Sequence, residues 1–331
     1  MRTRTLGALG LAAALLTACG QQQPGSPAAG GGAAAFPTAS LQLIAPAAPG
    51  GGWDSTARTL QSVIEDEGLA PEGVEVVNIA GAGGTIGLSQ FAGETDPHTL
   101  MVTGATLVGA VETNDSPASL DEVVPIARIT EEHHVIVVPA DSPLQDMTDL
   151  ADAMKADLGA VSIAGGSAGG TDQITAGLIA QAVGVDPKGV NYVAFSGGGE
   201  SLAAILGGQV TAAISNVQEY AGQIEAGELR ALGVTSPEPI EGFDAPTLTE
   251  QGIDVTFANW RCILAPPGTT DEQAEQITAF LDEVHSGAGW QQALEENGWT
   301  DAYQSGAEFD SFLDEQVIEI RDTLTQIGLV Q

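Results

Sequence analysis

Between residues 41 and 216 one arrangement recurs six times: a short apolar run rich in β-forming residues ends in a loop, usually rich in glycine, that opens a helical segment. LQLIA at 41–45 runs into PAAPGGGWD, VEVVNI at 74–79 into AGAGGTIG, and the run at 98–103 into GATLVG. Residues 160–164 then meet GGSAGGTDQ, 192–195 meet SGGGES and 211–214 meet SNVQEY. Apolar strands alternating with helices indicate parallel sheets covered by helices on both faces. The fold class is therefore α/β.

The C-terminal part has a helical period. Ala274, Ile277, Leu281 and Val284 fall on one helix face, and Phe309, Leu313, Ile320, Leu324 and Ile327 on another. HVIVVPA at 134–140 and ANWRCILAPP at 258–267 read as two crossings between lobes. A chain of 331 residues suits two domains of ordinary size. We expect residues 40–138 plus 258–331 to form lobe 1 and residues 139–257 to form lobe 2.

The N-terminus reads as an address. Arg2 and Arg4 precede an uncharged Leu- and Ala-rich run too short to persist as a membrane anchor. It ends in Leu16-Thr17-Ala18-Cys19-Gly20, which resembles the lipobox of bacterial lipoproteins. That resemblance implies a lipoprotein signal peptide over residues 1–19, with Cys19 acylated as the new N-terminus. Residues 20–39 carry no charge and no periodicity, so a flexible tether is expected there.

Charge narrows the partners. Lys and Arg total 9 against 44 Asp and Glu, a formal net charge of −35. Such a chain cannot neutralise a phosphate backbone, which excludes nucleic acid, and it is repelled by anionic lipid head groups.

Glycine loops at strand ends are anion sites because first-turn N–H groups lack intrahelical partners and the helix dipole is positive there. With few cationic side chains, a bound carboxylate must be held mainly by backbone N–H groups and hydroxyls. The loops at 48–52, 83–85, 167–171 and 196–199 qualify. Gly81-Ala82-Gly83-Gly84-Thr85-Ile86-Gly87 departs from the dinucleotide fingerprint, with three residues instead of two between Gly83 and Gly87. Gly165-Gly166-Ser167-Ala168-Gly169 matches the G-x-S-x-G nucleophile elbow, so a serine hydrolase using Ser167 is the alternative reading. It would need a downstream imidazole, and His285, the one His after Ser167, falls late on an amphipathic helix where exposure is expected. His133 and His134 are adjacent on a strand and point to opposite faces, which disfavours a shared metal and leaves them as surface or hinge residues. No enzyme activity, metal or cofactor is expected.

Several blocks carry a specific resemblance. APAAPGGGWDSTAR at 45–58, NIAGAGGTIGL at 78–88 and GGSAGGTDQITAGLIAQAVGVDP at 165–187 are similar to the extracytoplasmic binding proteins of tripartite tricarboxylate transporters, of the TctC type. NYVAFSGGGESLAAILGGQV at 191–210, GELRALGVTSPE at 227–238 and ANWRCILAPPG at 258–268 continue it in order. The resemblance implies a periplasmic-binding-protein type II fold, two α/β lobes with mixed, mostly parallel sheets and a ligand cleft between them. It implies capture of a small carboxylate, citrate or another tri- or dicarboxylate, and delivery to membrane permease subunits. It also implies an extracytoplasmic, lipid-anchored protein, and a monomer is expected.

Carried onto this sequence, one gripping loop contains Ala48, Pro49, Gly50 and Gly51, followed by Trp53. The other contains Ser167, Ala168, Gly169, Gly170 and Thr171. Gly83, Gly84, Ser196, Gly197 and Asn216 would lie near the rest of the ligand. Gln173 stands where relatives often have His, and Cys262 where they have Gly; Cys262 reads as a buried thiol. Arg58, four residues beyond Asp54, reads as half of an ion pair, while Arg261 fits either a pair or a ligand contact. Replacing Cys19 by Ala is expected to release the protein from membranes on cell fractionation. Unchanged membrane association of that variant would refute the lipobox reading.

Overall fold

The computed structural model describes residues 36–330; Cys19, the lipobox and residues 20–35 of the expected tether lie outside them. Ten strands join in one sheet with β4 (Val124–Pro139) as its spine. Toward one side lie β9 (Ala258–Ala265), β3 (Thr99–Gly104), β1 (Leu41–Ala45) and β2 (Val74–Asn78). Toward the other lie β7 (Ala212–Asn216), β5 (Ser162–Gly165) and β6 (Asn191–Ala194), while β8 (Leu229–Val234) and β10 (Thr300–Ser305) also pair with β4. Pairing is parallel where the βα rhythm predicts it, β1 with β2 and β3, and β5 with β6 and β7. Every pairing of β4 and β9 is antiparallel, so the centre of this mixed sheet departs from the rhythm of its ends.

The spine changes partners part-way. Residues from Val124 to His133 pair with β9, and His134 opens the pairing with β7. The strand is 16 residues long and starts well before the apolar run at 134–140. Its first half is hard to read because Arg128 and Glu131 interrupt the apolar pattern. Tertiary partners absorb those charges: the two side chains pair at 3.3 Å, and the Arg128 guanidinium lies 4.1 Å from the centre of the Phe312 ring. Sequence reading also missed β10, whose TDAYQS is nearly all polar.

Helices follow the strands as expected: α1 (Gly52–Asp66), α2 (Thr85–Phe91), α3 (Ala105–Thr113), α4 (Met147–Ala156), α5 (Thr171–Ala182), α6 (Gly198–Leu206) and α7 (Val217–Glu225). The C-terminal part supplies α8 (Asp271–Ser286), α9 (Ala288–Asn297) and α10 (Gly306–Gln326). Ile277, Leu281 and Val284 are buried, as are Phe309, Leu313, Ile320, Leu324 and Ile327, so both apolar faces meet the core. Around the second half of β4 the strand period of two sorts side chains between two cores. Ile136, Ile163 and Ile214 enter one, and Val135, Ala164 and Ala213 the other.

Backbones come closest where β3 ends. A Cβ on Gly104 would strike the main-chain carbonyl of Trp260 on β9, a contact that no side-chain rotation relieves. Gly104→Ala is expected to lower the unfolding free energy by about 1–3 kcal/mol. Denaturant titration checks this, and wild-type stability would mean that the β3–β9 pair yields more than packed strands normally do.

Candidate functional site

Helices α1, α5 and α6 begin with the same device. The Gly50 N–H donates to Asp54 Oδ2 at 2.7 Å, that of Gly169 to Gln173 Oε1 at 2.8 Å, and that of Ser196 to Glu200 Oε2 at 3.0 Å. In each, a side chain in the first helical turn reaches back four residues and fixes the loop. Around α1 the clamp is the more elaborate. Asp54 is buried, pairs with Arg58 Nε at 2.9 Å and accepts from Asn78 Nδ2 at 2.9 Å. Burial raises the pKa of this carboxyl, but the bonds from Gly50, Arg58 and Asn78 prevail and hold it below its ordinary value.

These clamps leave other donors unused. The caps of α1 and α5 are Gly51 and Gly170, neither of which supplies a side-chain cap. The first intrahelical bonds run from Ser55 to Gly51 and from Ile174 to Gly170. The N–H groups of Gly52 and Trp53, and those of Thr171 and Asp172, therefore lack intrahelical acceptors. Both helix starts open on one cavity of about 580 Å³.

Most of the residues expected at a site line this cavity. Ala48, Gly51 and Trp53 come from the β1–α1 loop, and Gly83 and Gly84 from the turn before α2. Ser167, Ala168, Gly170 and Thr171 come from the β5–α5 loop, Ser196 and Gly197 from the β6–α6 loop, and Asn216 from the end of β7. Pro49, Gly50 and Gly169 do not line it. The Gly50 and Gly169 N–H groups are taken by Asp54 and Gln173, and Pro49 has no N–H to offer. Gly169 shapes the loop instead, because at φ +73° it turns the chain, and a Cβ there would strike Thr113 on α3. Gln173, which stands where relatives often have His, clamps the loop.

Charged groups lie under and around the cavity floor. Arg261, nearly inaccessible, pairs with buried Glu132, meets the Thr56 hydroxyl and lies 5.2 Å from the centre of a Trp299 ring. It also contributes to the lining, so the structure gives it the ion pair as well as a place at the site. Burial raises the Glu132 pKa, with Arg261 and His134 opposing. His134 is fully buried, not a surface residue. Its Nδ1 is 2.9 Å from Thr175 Oγ1 and its Nε2 is 3.1 Å from Asp172 Oδ1. His133 bonds instead to the Phe257 carbonyl. Cys262 is buried, and burial pushes its thiol far above the usual value, so it packs as an apolar group.

The family model for the tripartite tricarboxylate transporter family receptor (TctC) matches residues 57–329. The chain belongs to this family. Among curated relatives, BugT of Bordetella pertussis (strain Tohama I) is 29% identical over 256 residues, spanning 75% of this chain and 77% of BugT. Among solved structures, MatC from Rhodopseudomonas palustris with bound malate is 22% identical and superposes with a TM-score of 0.76, covering 87% of this chain and all of that one. Rpa4515 of R. palustris with adipate gives 0.79 at 20% identity, covering 88% and 98%. The fold is therefore the two-lobed periplasmic-binding-protein type II fold. The chain is a receptor and not an enzyme. Within the described residues, the hydrogen bonds of His134 and His285 go to partners other than Ser167, and His285 is half-buried against Asp301 and Tyr303 where exposure was expected.

Sequence reading passed over several lining residues of this receptor. Asp172, Glu200, Glu219 and Asn259 all reach the cavity. Glu219 had a signal, an acid three residues after the strand-end Asn216, in the first turn of α7. Ser215 Oγ bonds to its carboxylate, which sits against the start of α6 near Gly198. Burial pushes the Glu219 pKa from 4.5 up to about 7. A raised carboxyl favours the protonated folded state, so its stability contribution is complete below the unfolded value and is lost as pH rises through about 7. Glu219→Gln is expected to gain on wild type by on the order of 1–3 kcal/mol between pH ~4.5 and pH ~8. Denaturant titrations at the two ends check it; a constant difference would contradict the assignment.

Proposed function

We propose that this receptor captures a small carboxylate in the cavity at the starts of α1 and α5 and hands it to the membrane permease of a tripartite tricarboxylate transporter. One observation carries the reading: two helices without side-chain caps open on one cavity, and Arg261, the one basic residue in its lining among the described residues, is already paired. Unpartnered first-turn N–H groups and the positive dipole ends suit a carboxylate, and the hydroxyls of Ser167 and Thr171 add donors. Malate in MatC and adipate in Rpa4515 are both dicarboxylates, which supports the same class here. Citrate, as the family's namesake class, is the first ligand to try.

The lobe division at 40–138 plus 258–331 and 139–257 belongs to this reading. It is supported by the change of β4 partners between His133 and His134 and by the start of β9 at Ala258. Lipid anchoring through Cys19 outside the cytoplasmic membrane completes it; no helix of the described residues is long and apolar enough to cross a membrane. A thermal-shift screen tests the core of the proposal. A carboxylate at about a hundredfold excess over Kd is expected to stabilise the receptor by about 2.7 kcal/mol, while uncharged sugars give no shift. Stabilisation by sugars and by no carboxylate would overturn it.

A further inference from the structure

Helix α3 carries a glycine in its interior, Gly109, although glycine is a poor helix former. Its surroundings account for it. A Cβ at Gly109 would strike the main-chain carbonyl of Gly169, so the β5–α5 loop rests directly on the backbone of α3. The fit is as close from the other side, since a Cβ at Gly169 would strike Thr113, one turn further along α3. The Thr113 hydroxyl is itself held by a bond to the Gly109 carbonyl at 2.9 Å. One turn earlier, Thr106 Oγ1 lies 3.3 Å from Thr171 Oγ1. Thr106, Gly109 and Thr113 follow the helical spacing of three and four residues and form one face, on which residues 169–171 sit.

The adjoining face of α3 meets the opposite side of the cavity. A Cβ at Gly83 would strike Ala110, and Asn114 Nδ2 donates to the Ala82 carbonyl at 3.1 Å. A Cβ at Gly84 would strike the Trp53 ring and crowd Leu107. Contacts therefore run from Trp53 at the start of α1, through the turn at 82–84 and across α3, to the loop before α5. Glycines stand at the tightest points of this path. Close-packed interiors absorb little change in length, because an added carbon forces the backbone to shift. Gly109 and Thr113 do not line the cavity, so they act on it only through the path.

We propose that α3 is the spacer that sets the distance between the loops at the starts of α1 and α5, with Gly109 and Thr113 as positioning residues for the captured carboxylate. This rests on the carboxylate-capture reading and adds what holds the two helix starts at the separation where one ligand reaches both. On the proposed lobe division, α3 belongs to lobe 1 and the β5–α5 loop to lobe 2. The seat is then a contact between lobes that stands apart from the strand crossings.

Amide hydrogen exchange followed by NMR tests the seat without any ligand. The Gly169 and Gly170 N–H groups bond to Gln173 Oε1 and to the Ser167 carbonyl, so their exchange reports whether the loop is seated. Gly109→Ala is expected to speed it about tenfold. The Gly50 N–H, clamped by Asp54, is expected to keep its wild-type rate. Thr113→Ala removes atoms instead of adding one, so it serves where Gly109→Ala does not fold, and about a threefold change is expected. Thr113→Ser keeps the hydroxyl and is expected to behave as wild type. Calorimetry then uses malate and adipate, which relatives hold, and citrate. Each compound that the wild type binds is expected to bind Gly109→Ala about tenfold and Thr113→Ala about threefold more weakly, and Thr113→Ser equally well. Unchanged exchange at Gly169 and Gly170 in the variants overturns the seat. Faster exchange with unchanged affinity overturns the positioning role, and so does exchange that rises equally at Gly50. A wild type that binds none of the three compounds overturns capture of this ligand class and the positioning role with it, whatever the exchange shows of the seat.

Discussion

The site depends on a shortage, the backbone N–H groups that an α-helix cannot satisfy at its own start. Ser, Thr, Asp and Asn are the residues preferred for covering those groups. Here α1 and α5 are capped by Gly51 and Gly170, which have no side chain to offer, and both open on the same void. The acceptors that would otherwise cap them, Asp54 and Gln173, instead reach back to Gly50 and Gly169. That arrangement makes the loops rigid and leaves the first turn free. A rigid donor set loses little conformational freedom when a ligand arrives, which favours affinity without a cationic side chain.

The second constraint is the junction beneath those loops. β4 pairs with β9 up to His133 and with β7 from His134, and the charged groups of the floor cluster there. Glu132 meets Arg261 from β9, and His134 meets Asp172 from α5. Each contact ties the spine to an element that lines the cavity. Removing one partner of such a buried pair leaves an uncompensated charge, so the junction tolerates little change in geometry. The loops that line the cavity and the strand between them are therefore mechanically linked.

Much of this was legible in the sequence where the information is local. β1 occupies residues 41–45 as expected, because its side chains are almost all buried and apolar. The glycine loops announced the helix starts, and twelve of the fifteen residues expected at a site line the cavity: all but Pro49, Gly50 and Gly169. What failed was non-local. The first half of β4 carries charges that only Phe312 and the neighbouring strands make acceptable. Arg261 and Glu132 lie far apart in the chain, and no spacing rule joins them. The clamps had a local trace, since PGGGWD, GGTDQ and SGGGES each place an acceptor four residues after a loop N–H. That trace predicts which N–H groups are occupied, and so why Gly50 and Gly169 stand apart from the lining.

The charge balance is a reason why backbone donors suit an acid in this cavity. A protein at −35 with 9 basic residues already repels anions. An arginine placed to attract one would have to be held against many carboxylates, and the buried Arg261 indeed pairs with one. Helix-start donors avoid that competition, because peptide dipoles carry no net charge and cannot be neutralised by a migrating side chain. Their attraction is short in range, so it acts on a ligand already in the cavity and does little to draw one from solution.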